Sequence, residues 1–295
     1  MVKFRVVIVV IIIILVLLLL LAITFYHEER KPRMVDKDLA RKFLETQYVP
    51  EAGLLRAATL EKVEDSHKIY VAADNLLAAR ALDVLGSPLA SNVLTTLNNK
   101  YSGGFDKQHE ILIGEDIPDV FYQRDYEHLG NVSSSKFGVL EIYYEKTGET
   151  PIDDWDRYAD LVVYKALKAL LYGSRPYAEQ LFSILISMWD GYGFKDGAYN
   201  GLYETYKVAL AIYLYKALEE ADSGLVGKYR GLYEKWNIIL ALMQRSDGGI
   251  VTHYRVSERG EIIPVGDANT ETTSITILAL YSEYPKKIGG HCKCS

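Results

Sequence analysis

The chain has 295 residues with a formal net charge of −6; 49% of it is hydrophobic and 24% charged, enough apolar content for a folded core. An acidic balance with no basic stripe excludes nucleic acid as a partner, because phosphates demand a concentrated Lys/Arg face. The only cysteines, Cys292 and Cys294, sit beside the C-terminus, so no disulfide can cross-link a core.

Residues 6–23 form an unbroken apolar run that begins at Val6 and ends at Ile23. At about 1.5 Å per residue it approaches the roughly 30 Å hydrocarbon thickness, which predicts an N-terminal transmembrane helix and the lipid bilayer as a partner. The run exceeds the apolar core of a cleaved signal and lacks a small-x-small site, so an uncleaved signal-anchor over residues 1–30 is expected. Arg30, Lys31, Arg33 and Lys37 after the run favour an internal domain by charge count. The sequon Asn131-Val132-Ser133 points the other way, and a single-pass membrane protein with an extracytoplasmic domain is the expectation.

From residue 35 onward one theme repeats: an amphipathic helix, a glycine turn, a loop, then a helix apolar on nearly every face. The turns are Val49-Pro50-Glu51-Ala52-Gly53-Leu54, Tyr101-Ser102-Gly103-Gly104-Phe105, Asp190-Gly191-Tyr192-Gly193-Phe194 and Gln244-Arg245-Ser246-Asp247-Gly248-Gly249-Ile250. Each sets an apolar residue behind a glycine, which can adopt the left-handed conformation that closes a helix. The helices after the loops are predicted over residues 70–85, 135–147, 203–218 and 270–284. Val208-Ala209-Leu210-Ala211-Ile212 and Ile275-Thr276-Ile277-Leu278-Ala279 have no polar stripe and must be buried all round. Residues 177–189 keep polar positions and read as an outer helix; residues 156–172 supply an additional helix whose place in the alternation is open. Residues 104–136 read as a long loop. Residues 250–256 and 261–265 read as a β-hairpin turning at Ser257-Glu258-Arg259-Gly260. The predicted fold is all-α, an α/α toroid of about five hairpins over residues 31–285, followed by a flexible tail over 286–295.

The turn Gln244-Arg245-Ser246-Asp247-Gly248-Gly249 resembles the Gln-x-x-Asp-Gly-Gly turn of the α/α-toroid superfamilies, the terpenoid cyclases with the protein prenyltransferases, and the six-hairpin glycosidases. The resemblance implies the toroid fold and leaves the substrate open. Asp153-Asp154-Trp155-Asp156 has the wrong order for the cyclase acid motif, and no cysteine stands in the helical domain to bind a prenyltransferase zinc.

Three buried helices are predicted to begin with an acid: Asp74, Glu204 and Glu271. Parallel packing would gather these carboxylates at one mouth as an acid/base set, although an acid in a first turn also complements the helix dipole. Glu204 and Glu271 begin neighbouring helices and are the preferred catalytic pair, with Asp74 nearby. The loop over residues 104–136 adds Asp106, His109, Glu110, Arg124 and His128. Twenty-three tyrosines against eight phenylalanines suit stacking on sugar rings as well as core filling. Asp106, Tyr192, Tyr203, Asp247 and His253 are the candidate substrate-binding residues. No His-x-x-x-His or Cys-x-x-Cys spacing occurs, so neither a metal nor another cofactor is expected. The sequence thus reads as a membrane-anchored carbohydrate-active enzyme, a glycoside hydrolase or lyase. A non-catalytic glycan- or protein-binding toroid and a terpenoid cyclase-like enzyme are the alternatives.

Overall fold

The computed structural model describes residues 16–17, 34–59 and 64–283. The chain falls into two units, Met1–Met34 and Val35–Ser295. Among the described residues no helix is long and apolar enough to cross a membrane. The predicted anchor over residues 6–23 lies outside the described residues except for Val16 and Leu17, and so does the tail over 286–295.

The second unit opens with α1 (Lys37–Gln47), the short pair β1 (Tyr48–Val49) and β2 (Leu54–Leu55), then β3 (Lys68–Tyr70), α2 (Ala73–Val84) and α3 (Leu89–Lys100). A short 3-10 segment, His109–Ile113, leads to the long hairpin β4 (Tyr122–Ser134) and β5 (Gly138–Pro151), then to α4 (Ala159–Leu171) and α5 (Arg175–Ser187). The chain continues through β6 (Tyr203–Glu204), α6 (Thr205–Glu220), α7 (Arg230–Met243), β7 (Val251–Val256), β8 (Ile262–Ala268) and α8 (Thr270–Tyr281).

Helices alternate between two environments. α1, α3, α5 and α7 bury one stripe each, for example Ala178, Leu181, Phe182 and Leu185 of α5. α2, α4, α6 and α8 are buried on nearly every face, as the apolar stretches Val208-Ala209-Leu210-Ala211-Ile212 of α6 and Ile275-Thr276-Ile277-Leu278-Ala279 of α8 require. α2 packs on α8, α8 on α6, and α6 on α4, while the 3-10 segment touches both α2 and α4.

The all-α expectation is corrected by three sheets, which make the molecule a mixed α/β structure rather than an all-α toroid. The largest correction falls on residues 135–147. Predicted as a buried helix, they form the hairpin turn at 135–137 and then β5, which pairs antiparallel with β4 and parallel with β3 through Lys68↔Glu141 and Tyr70↔Tyr143. Leu140, Ile142 and Tyr144 alternate there with Val139, Glu141 and Tyr143, the period of a strand, and Gly138 at φ +76° closes the hairpin turn. β4 likewise occupies ground predicted as loop. The second sheet, β6-β7-β8, contains the hairpin predicted over residues 250–265 and adds β6 through Tyr203↔Tyr254 and Glu204↔His253.

Candidate functional site

The starts of α4, α6 and α8 open on one cleft of about 560 Å³. α4 contributes Asp160, Leu161 and Tyr164, the entry to α6 contributes Glu204 and Tyr206, and α8 contributes Glu271. Tyr122, Arg124 and Tyr126 reach it from β4, and His109 from the 3-10 segment. Glu204 stands at the N-cap position of α6 but makes no capping bond to that helix. At α8 the cap is Asn269, whose side chain accepts from the Thr272 N–H at 2.8 Å, so Glu271 has no capping duty. Each glutamate side chain keeps 27% of its surface exposed, toward the cleft.

Behind Glu271 lies a buried ionic network. Asp106 Oδ1 accepts the backbone N–H groups of Gln108 and His109 at 3.0 and 2.9 Å, and its Oδ2 accepts a hydrogen bond from His109 Nδ1 at 2.5 Å. His109 Nε2 then lies 3.5 Å from Glu271 Oε1. The Arg124 guanidinium lies against the imidazole, reaches Glu145 Oε1 at 3.1 Å and Asp106 Oδ2 at 3.6 Å, and donates to Gln108 Oε1. Burial alone would raise the Asp106 carboxyl, but His109 and Arg124 outweigh it and hold that carboxyl well below the usual range. Burial likewise opposes the imidazolium, yet the charge of Asp106 lifts the His109 pKa above its ordinary value. Tyr164 meets the His109 ring edge-on at 5.6 Å between centroids.

The opposite wall has a parallel construction. Lys207, 2% exposed, bonds Asp196 Oδ2 at 2.6 Å and forms an ion pair with Glu204. Burial raises the Glu204 pKa, and Lys207 only partly offsets the shift. Tyr206 donates to Asp160 Oδ2 at 3.1 Å and is close enough to Asp160, Glu204 and Glu271 to feel all three charges. Two of the buried carboxylates also start helices. α2 and α4 lack a capping side chain of their own, and the Ala73 N–H is accepted by Glu145 at 2.6 Å, the Ala159 N–H by Asp196 at 2.9 Å. A remote carboxylate thus caps each helix and anchors a cation, Arg124 in the cleft wall and Lys207 behind Glu204.

No family model, curated protein or solved structure matches the chain. The reading of the cleft therefore rests on its own chemistry. Among the described residues, no group of three or more His, Cys, Asp or Glu side chains is arranged to hold a metal ion.

Of the residues singled out in the sequence, Glu204 and Glu271 line the cleft together. Asp74 lies in the first turn of α2, 4% exposed and outside the cleft lining; burial, then the charges of Glu271 and Glu145, push its pKa well up. Asp106 sits beneath the wall as described. The other four serve elsewhere. Tyr203 is buried, donates to Asp190 at 2.6 Å and stacks on Tyr254. Tyr192 lies under Lys235 and offers its carbonyl to the Tyr254 hydroxyl. Asp247 pairs with Arg245 at 2.9 Å in the Gly-Gly turn, and His253 bonds Thr252 within β7. Glu145, Asp160, Tyr164 and Tyr206 were not legible as site residues. Glu145 fell in the misread strand, and the others resemble ordinary core positions until the helix starts are brought together.

Proposed function

We propose that the protein is a carbohydrate-active enzyme that cleaves glycosidic bonds, with Glu204 and Glu271 as its acid/base pair. The observation that carries this reading is that two glutamates from separate helix starts, neither occupied in capping, face one tyrosine-walled cleft. Its volume of about 560 Å³ falls within the roughly 300–1,000 Å³ span of small-molecule sites. Tyrosines offer the apolar faces and polar tips that sugar rings require. Glycosidic cleavage needs one carboxylic acid to protonate the leaving oxygen and one carboxylate to activate water or attack the sugar.

Glu204, its pKa raised by burial, takes the acid role, and its protonated form persists to higher pH than an ordinary carboxyl. Glu271, backed by His109, takes the role of base. Because α6 and α8 are packed neighbours with axes roughly 8–10 Å apart, inversion at the anomeric carbon is the expected stereochemistry. The test is hydrolysis of a panel of oligosaccharides by the wild type and by Glu204→Gln and Glu271→Gln. Each variant is expected to lose about 10²–10⁴-fold in kcat while keeping its circular dichroism spectrum. A panel that is bound but not cleaved by the wild type would leave a glycan-binding protein instead, and full activity in either variant would remove that residue from the pair.

A further inference from the structure

The cleft carries more negative charge than its cations can balance. Asp154, Asp160 and Glu271 line it as carboxylates beside the acid Glu204, and its only lining cations among the described residues are Arg124 and His109. Both are already committed: Arg124 to Glu145 and Asp106, His109 to Asp106. Lys207, behind Glu204, is held by Asp196 as well. At the rim, Asp154 has only the exposed Arg157, at 3.5 Å, as an ion-pair partner among the described residues. Asp160 makes no ion pair within 4 Å among the described residues, and it shares the field of Lys207 with Glu204 and Asp196; one of its oxygens accepts from Tyr206 and the other, buried, has no hydrogen-bond partner among the described residues.

A concave site lined by one sign of charge and walled by low-dielectric protein focuses its field on whatever enters. It attracts a cation and repels an anion, and among the described residues no free cation lines it to receive a uronate or a sulfate. Resting on the carbohydrate reading above, we propose that the substrate is a glycan of amino sugars with free amines, drawn to the side of the cleft where Asp154 and Asp160 stand. The protonated amine of each sugar unit supplies the positive charge that the lining lacks. N-acetylation removes that charge and weakens binding, and a carboxylate in its place is rejected.

The test is direct binding by isothermal titration of the whole chain with three oligomers of equal length: glucosamine, N-acetylglucosamine and galacturonic acid. Glucosamine oligomers are expected to bind roughly tenfold or more tightly than their N-acetylated counterparts, with affinity falling as salt is raised and the field is screened. Asp154→Asn and Asp160→Asn should each narrow that gap. The half-exposed Asp154 supplies the test even if the less accessible Asp160 proves necessary for folding. Galacturonate oligomers binding as tightly as glucosamine oligomers, or amine binding indifferent to salt, would overturn the substrate class and leave the glycan reading standing. Failure of all three to bind would overturn the glycan reading and the substrate class with it.

Discussion

Glu110 follows His109 in the 3-10 segment and is 3% exposed. Its Oε1 accepts the Lys107 N–H at 2.6 Å, while its Oε2 has no hydrogen-bond partner among the described residues. Burial, reinforced by the negative charge of Asp106, pushes its pKa up to about 7. An unfolded glutamate titrates near 4.3, so between about 4.3 and 7 the folded chain holds a proton that the unfolded chain has released. The stability this proton provides is complete below the unfolded pKa and is lost as pH rises through the folded one. Glu110→Gln, an amide that cannot ionise, is therefore expected to gain melting temperature relative to the wild type at pH 8 compared with pH 5. An unchanged difference between the two pH values would show that another group carries the dependence. Side chains of this kind were legible in sequence only as a density of ionisable residues between 104 and 136. That Asp106, His109 and Arg124 form one ionic network, with Glu110 beside Asp106, depends on Glu145 and on the start of α2, which are distant in the chain.

The turn from Gln244 to Gly249 was legible as a motif, and its physical purpose is to seat α1. Gln244 brackets the backbone of Asp36, accepting its N–H at 2.7 Å and donating to its carbonyl at 2.8 Å. Gly248 stands at φ +95°, and a Cβ there would lie 2.0 Å from the Leu39 carbonyl oxygen. Gly248→Ala is expected to cost on the order of 3 kcal/mol through backbone strain and overlap together. Gly231 in the first turn of α7 has open space around it and no positive φ, so Gly231→Ala should be neutral or stabilise by about 0.5 kcal/mol. Urea denaturation of the two variants checks both, and equal effects would contradict the close approach at Gly248. α6 and α8 were legible as buried helices because an uninterrupted apolar run has only one place to go. β5 was not, because residues 135–147 carry enough apolar side chains to satisfy a helix, and the deciding feature, alternation over only a few residues, is the weaker signal. The start of α4 was obscure for a different reason: its cap comes from Asp196, remote in sequence.

Across the whole molecule, the arrangement of buried helices and the cleft at their starts depends on pairings that periodicity cannot encode, such as Glu145 with Ala73 and Asp267 with Thr59. One such pairing joins the two ends of the folded unit. α1 packs on α8, the Tyr281 hydroxyl donates to the Val35 carbonyl, and Asp36 is held by Gln244. Residues at the opening and at the close of the unit are thus within a side chain's length of each other. The order in which the polypeptide visits its elements is consequently separable from the architecture they build. A circular permutant of residues 35–283, its former ends joined by a short Gly/Ser linker and new ends opened at the exposed Gly224 between α6 and α7, is expected to fold with native helix content and a cooperative melt. A permutant that stays unfolded would mean that continuity through the α6–α7 connection is itself needed for folding, whereas a folded one would make residues 35 and 283 a seam at which the covalent path can be rewired without disturbing the cleft.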